Sequence, residues 1–261
     1  MSTMSNELRT RTIVGIILIF MASAGLYLGG LPFWLLLVVA GVLMQGEWGG
    51  LIGASADHRR LGMFSVSVPL ALLCPIAAGV SWIAFTSMAA VFFFVMFVTR
   101  SVRLALGIVY VCLPVMALLY LREQTPDSYG LMLAFWALAL VWATDIGAYF
   151  AGRSIGGPRL APRISPSKTW AGLGGGVLAA LVIGFLLHRF GNLPIQLAAA
   201  SGLLAVAAQL GDLLESAMKR RAGVKDSGML LPGHGGVLDR LDGVAAVAPL
   251  AALLYLLLVL P

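Results

Sequence analysis

Apolar runs of roughly helix-spanning length recur along the whole chain, at 13–30, 32–54, 64–79, 82–98, 101–120, 129–151, 170–190, 194–214 and 243–260. A helix needs about 20 apolar residues to cross the hydrocarbon core of a bilayer, and most of these runs are close to that length. Lipid offers no partner to an unbonded backbone N–H or C=O, so only helices or a closed barrel can span it. The alternating pattern of barrel strands is absent. With 60% hydrophobic and only 11% charged residues, the chain lies far outside the composition of soluble domains. The expectation is an all-α polytopic membrane protein with about nine transmembrane helices. It reads as one integral membrane domain over 1–261, in which 1–128 supplies N-terminal helices and 129–261 carries the chemistry. The first run ends in Leu28-Gly29-Gly30-Leu31-Pro32 without a small-residue cleavage site and reads as the first span. Cys74 and Cys112 lie inside apolar segments with no paired spacing, as small buried hydrophobes do.

The basic residues orient that frame. With a cytoplasmic N-terminus, nine spans put fifteen of the 17 Lys and Arg residues inside: Arg9, Arg11, Arg59, Arg60, Arg100, Arg103, Arg153, Arg159, Arg163, Lys168, Lys219, Arg220, Arg221, Lys225 and Arg240. Only Arg122 and Arg189 fall outside, which is the asymmetry the positive-inside rule requires. The polar loops near 152–169 and 215–242 then share the cytoplasmic side. The net charge of +6 suits anionic lipid and phosphate substrates. Nucleic acid is not expected, because there is no soluble basic domain.

Between the last two apolar runs lies Ser216 to Asp242, SAMKRRAGVKDSGMLLPGHGGVLDRLD. Acids, bases and glycines stand there at spacings that suit phosphate and divalent-metal chemistry. Asp212, Glu215 and Ser216 fall three and four residues apart, on one face of a helix, and Asp239 and Asp242 are again three apart. Asp212, Asp239 and Asp242 together make a set of hard oxygen ligands for Mg2+. The alternative for Asp239 and Asp242 is that they are acids favoured by a helix N-terminus. Lys219, Arg220, Arg221, Lys225 and Arg240 can neutralise a triphosphate and a phosphomonoester. Gly233, Gly235 and Gly236 free the backbone to aim N–H groups at an anion. His234 either serves a phosphate or a proton transfer, or only holds the turn. The other loop carries Arg153, Arg159, Arg163 and Lys168 with no acid between Gly152 and Thr169. Ser165-Pro166-Ser167-Lys168-Thr169 adds hydroxyls ahead of a predicted helix start, a ready phosphate site. Asp145 in the sixth run and, more weakly, Glu47 in the second are buried-acid candidates facing a cavity and a cation or basic partner. Gly172 and Gly176, four apart, suit close helix packing.

Read in order, Ser216, Met218, Lys219-Arg220, Lys225-Asp226, Gly228, Leu231-Pro232, His234-Gly235-Gly236 and Asp239-Arg240-Leu241-Asp242 resemble the signature of the phosphatidate cytidylyltransferase family, the CDP-diacylglycerol synthases. The similarity extends through Gly211-Asp212-Leu213-Leu214-Glu215, Ala143-Thr144-Asp145-Ile146-Gly147-Ala148-Tyr149-Phe150 with Gly152-Arg153, and Ser165-Pro166-Ser167-Lys168-Thr169-Trp170. Ala171 departs from it, standing where an acid or amide is common. The resemblance implies an Mg2+-dependent enzyme that makes CDP-diacylglycerol and pyrophosphate from CTP and phosphatidic acid. It implies Asp212 and Asp239 as the principal metal aspartates, with Asp242 close by. Lys225, Asp226, His234 and Arg240 are the expected catalytic residues. Ser165, Lys168, Thr169, Lys219, Arg220, Gly235 and Gly236 are the expected substrate-binding ones. A homodimer among membrane lipids, in a bacterial cytoplasmic membrane with the site facing the cytoplasm, completes the expectation. Lys168 stands a whole loop away from the aspartates, so it is expected to act on a phosphate without affecting Mg2+ dependence. A CTP-dependent lipid kinase, or a cytidylyltransferase for another anionic lipid, would share the basic loops. A membrane transporter would explain the buried acids, but internal inverted repeats, which would favour it, are not seen.

Overall fold

The computed structural model describes residues 2–231 and 233–259, with side chains for Arg9 and from Thr12 onward. Pro232 of the signature and the side chain of Arg11 lie outside the described residues. Among the described residues there are nine α-helices: α1 (Ser2–Leu28), α2 (Gly30–Leu51), α3 (Ala56–Leu72), α4 (Trp82–Thr99), α5 (Val102–Arg122), α6 (Asp127–Ser154), α7 (Trp170–Gly191), α8 (Ile195–Arg221) and α9 (Leu238–Leu258). Each corresponds to one apolar run. Seven of them, all but α1 and α3, are long and apolar enough to cross a membrane, two fewer than the nine spans expected. In α1 the apolar part is the shorter Thr12–Leu28. In α3, the first turn holds Asp57, His58, Arg59 and Arg60, and the helix runs 17 residues.

The third run also shifts in position, from 64–79 to Ala56–Leu72. Two local causes set its ends. The Ser55 hydroxyl accepts from the His58 N–H at 3.3 Å, a side-chain cap that starts the helix early. Pro75 follows Cys74 and drives it out of the helical region, so the helix stops before the apolar stretch does. A second departure from an all-α chain is a small antiparallel hairpin, β1 (Arg159–Ala161) with β2 (Ser165–Thr169). It occupies the basic loop between α6 and α7. Thr169 ends β2 and caps α7, its Oγ1 accepting from the Gly172 N–H at 3.0 Å.

The chain divides into two compact units that interleave in sequence. The first comprises 1–116 and 221–241; the second comprises 117–220 and 242–261. In the first, α2 packs on α1 and α3, and α3 packs on α4. The C-terminal end of α2 is tied to the start of α5: the Trp48 Nε1 donates to Arg103 O at 2.8 Å and the Gln45 Nε2 to Leu104 O at 3.4 Å. In the second unit, α6 and α7 approach until a Cβ on Gly147 would lie 2.6 Å from Gly175 O, and one on Gly176 would lie 2.9 Å from Thr144 O. This is the close packing expected of small residues four apart. Helices α8 and α9 meet in the same way, with Gly211 against Asp242 O, where a Cβ would come within 2.7 Å.

Candidate active site

The 221–241 segment belongs to the first unit and is built around two carboxylates. Glu47, on α2, is 1% exposed. Its Oε1 accepts from the Val237 N–H at 3.0 Å, and its Oε2 from the Leu238 N–H at 2.7 Å and the Ser227 hydroxyl at 3.2 Å. Val237 and Leu238 stand at the N-terminus of α9, where the first N–H groups have no partner within the helix. Glu47 satisfies two of them from a different part of the chain and sets a negative charge at the positive end of the helix dipole. Asp239, in the first turn of α9, gives its Oδ2 to the Ser227 N–H at 2.9 Å, the Ser227 hydroxyl at 2.9 Å and the Gly236 N–H at 2.8 Å. The contact to Gly236 ties the first turn of α9 back to the loop that precedes it. Ser227 is thus held from both sides.

Two glycines are fixed by this geometry. Gly235 has φ of +80°, a conformation a side chain rarely adopts, and a Cβ there would meet Asp239 Oδ2 at 2.7 Å. A Cβ on Gly236 would stand 2.3 Å from Ser227 Oγ and 2.5 Å from Glu47 Oε2. The Gly236 N–H, expected to be aimed at a substrate anion, is bonded to Asp239 in this structure. Lys225 and Asp226 are exposed on the loop ahead of Ser227. The Arg240 Nε donates to His234 O at 3.0 Å, which locks the arginine stem onto the turn. The His234 ring lies against α1, its Nε2 about van der Waals distance, 3.4 Å, from where a Gly15 Cβ would be.

The second unit holds the other cluster. Lys168, near the end of β2, pairs its Nζ with Asp212 Oδ2 and donates to Gln209 Oε1 at 3.1 Å. The expected separation of Lys168 from Asp212 is corrected here, because β2 lays the end of the basic loop against α8. On α8 the predicted shared face is present: the Ser216 hydroxyl donates to Asp212 Oδ1 at 3.3 Å, and Lys219 Nζ lies 3.1 Å from Glu215 Oε1. Asp242, at the point where Gly211 lets α8 and α9 touch, lies within electrostatic reach of Asp212, Glu215 and Asp145. Two ion pairs, Lys168 with Asp212 and Lys219 with Glu215, thus stand beside Asp242 and Asp145.

Arg220 donates from Nε to Ile164 O at 3.3 Å, bracing the hairpin turn against α8. Ser165 sits at the start of β2, in register with Ala161, and the Thr169 oxygen is engaged in capping α7. Among the described residues, no three or more His, Cys, Asp or Glu side chains are gathered in an arrangement that could hold a metal. The nearest approach to the expected metal set is the pair of neighbouring carboxylates, Asp212 and Asp242. That donor set is of the hard carboxylate type that Mg2+ takes, one or two at a time, alongside water and phosphate oxygens. Asp239 is instead engaged in the loop of the first unit. Sequence reading passed over Gln209 and Ser227 and gave Glu47 little weight. An acid in an apolar run was the available signal for Glu47, whereas Gln209 and Ser227 offered none.

The chain is similar to known proteins along nearly its full length. The cytidylyltransferase family matches residues 9–258. A phosphatidate cytidylyltransferase of Brucella suis is 39% identical over 260 residues, 97% of this chain and 93% of the relative. One of Pseudomonas aeruginosa is 37% identical over 267 residues, 95% of this chain and 97% of the relative. One of Bacillus subtilis is 46% identical over 144 residues, 54% of this chain and 52% of the relative. The chain belongs to the cytidylyltransferase family, with phosphatidate cytidylyltransferases as full-length relatives.

Proposed function

We propose that this membrane enzyme transfers the cytidylyl group of CTP to phosphatidic acid, releasing CDP-diacylglycerol and pyrophosphate. Full-length similarity to phosphatidate cytidylyltransferases supports the reaction. The Lys168–Asp212 pair beside Asp242 is the observation that carries the site. A phosphate oxygen of phosphatidic acid forms a bond to the α-phosphorus of CTP, and the bond from that phosphorus to the β-phosphate bridging oxygen breaks. The nucleophile is already ionised near neutral pH, so the protein need supply no strong base. Its task is to bring two anions together and to hold the charge that grows on the leaving group.

Lys168 and Lys219, each held by a carboxylate, offer ammonium groups to phosphate oxygens. Lys225 and Arg240 serve the charge that accumulates as pyrophosphate departs. Asp226, His234, Ser165, Thr169, Arg220 and Gly235 remain assigned to the reaction by the resemblance. Asp212 and Asp242 would hold Mg2+, with Asp239 joined to them on the resemblance alone. When bound, the ion supplies charge that neutralises the triphosphate and its leaving pyrophosphate. Purified protein given labelled CTP and phosphatidic acid, with Mg2+ or with chelator, should yield CDP-diacylglycerol and pyrophosphate in equal amounts only with the metal. Release of CDP with a phosphorylated lipid would instead make it a CTP-dependent lipid kinase.

For topology, the reading is nine crossings with a cytoplasmic N-terminus, in a bacterial cytoplasmic membrane. The lopsided basic residues support it. Cysteines placed at the exposed positions Ala56, Ser154 and Ala222, in a background without the buried Cys74 and Cys112, should label only from the cytoplasmic side. A cysteine at the exposed Ser128 should label from outside. Labelling of positions 154 and 222 from opposite faces would refute the orientation. The homodimer implied by the resemblance is checked by detergent-corrected light scattering.

A further inference from the structure

We infer that Glu47 is a positioning residue for the reaction: it holds the 225–239 loop in its working register from a fixed platform on α2, without itself touching substrate. The inference rests on the reading that this loop takes part in cytidylyl transfer. The platform comes first. Residues 44–49 of α2 are all buried. Gln45 and Trp48, on either side of Glu47 in the sequence, are bonded to the backbone of α5 at Leu104 and Arg103. The Trp48 ring lies 4.9 Å, centroid to centroid, from that of Tyr110. A side chain projecting from such a helix has little freedom to follow a moving loop. It makes the loop follow it.

Glu47 grips that loop at two places separated in sequence, Ser227 on one limb and Val237–Leu238 on the other. The backbone closes around the carboxylate. A Cβ on Gly228 would lie 2.6 Å from Oε1, and one on Gly236 would lie 2.5 Å from Oε2. The glycines of the signature at these two positions therefore answer to Glu47 as much as to any ligand. Lys225 and Asp226 precede Ser227 by one or two residues, so pinning Ser227 limits how far they can stray. Arg240 follows Leu238 by two residues and is set by the same grip on the start of α9. Misplacement of a reacting group by about 1 Å can cost on the order of 100-fold in rate.

The test uses the full-length protein in detergent and compares Glu47→Gln, Ser227→Ala and Lys225→Ala. Glutamine keeps the size of Glu47 but puts an N–H2 where two N–H donors and a hydroxyl need an acceptor. Ser227→Ala removes the grip from the loop side, on a half-buried residue whose loss is tolerable to the fold. Both should lower kcat by roughly 10- to 100-fold while changing KM for CTP and for phosphatidic acid little. Amide exchange should rise at Val237 and Leu238 in Glu47→Gln and stay unchanged in α6 and α7. Unchanged kcat in Glu47→Gln and Ser227→Ala while Lys225→Ala is impaired would overturn the inference. Full activity in all three single variants would remove the loop from the reaction and take the inference with it.

Discussion

Asp239→Asn lowers turnover on the order of 100-fold in a protein that still folds and inserts, and added Mg2+ does not restore it. The Oδ2 of Asp239 accepts three hydrogen bonds, two from backbone N–H groups at Ser227 and Gly236 and one from the Ser227 hydroxyl. Charged acceptors make stronger bonds than neutral ones, and an amide in either orientation loses that strength or turns N–H toward N–H. Both limbs of the loop then loosen, and with them Lys225 and Arg240. The resemblance offers a different cause for the same loss, a missing metal ligand. The two causes part on one measurement, activity followed across a wide Mg2+ range. A lost ligand weakens metal affinity, and excess Mg2+ recovers turnover. A loosened loop leaves the midpoint where it was at a lower ceiling. Recovery at high Mg2+ would return Asp239 to the metal site.

The helical frame was legible because it follows from one constraint, that backbone in lipid must bond to itself. Each apolar run therefore became a helix. The run at 64–79 slid to Ala56–Leu72 because Ser55 and Pro75 act on backbone geometry, which hydropathy does not register. The hairpin of 159–169 was missed for a related reason. Its sequence, RLAPRISPSKT, has neither strand alternation nor a recognised turn pair, and it pairs over very few residues. In the site, the residue types and the crowding of charge on two loops were visible, but the partners were not. Lys168 looked remote from Asp212 because separation along the chain says nothing about where a hairpin lays its end. Glu47 looked like a lesser buried acid because its partners are backbone N–H groups about 190 residues away, and a backbone N–H leaves no mark in the amino-acid code. The glycines at 233, 235 and 236 read as phosphate-binding glycines, and two of the three, Gly235 and Gly236, are explained by the acids they enclose.

Asp212→Asn and Lys168→Ala should each shift the Mg2+ dependence, in opposite directions, and should not act independently. The Lys168 ammonium sits on Asp212 Oδ2, on an oxygen that a cation would also seek. Removing the lysine takes away a competitor, so Lys168→Ala should lower the Mg2+ concentration needed for half activity while raising KM for CTP or phosphatidic acid. Removing the carboxylate does the reverse: Asp212→Asn should require more Mg2+ and lose on the order of 100-fold in turnover. In the double variant the competing pair is absent altogether, and the midpoint should lie close to that of Asp212→Asn alone, since Lys168 acts on the metal only through the charge it covers. Residues in direct contact commonly show such coupling, whereas distant ones add. Steady-state rates for the two single variants and the double, with Mg2+, CTP and lipid varied separately, decide it. Shifts that simply add would mean that the lysine and the aspartate serve different phosphates and meet only in the absence of substrate. The Lys168–Asp212 pair beside Asp242 allows the exchange expected here: with CTP bound, Lys168 would trade its carboxylate for a phosphate, which would leave Asp212 to hold a divalent ion.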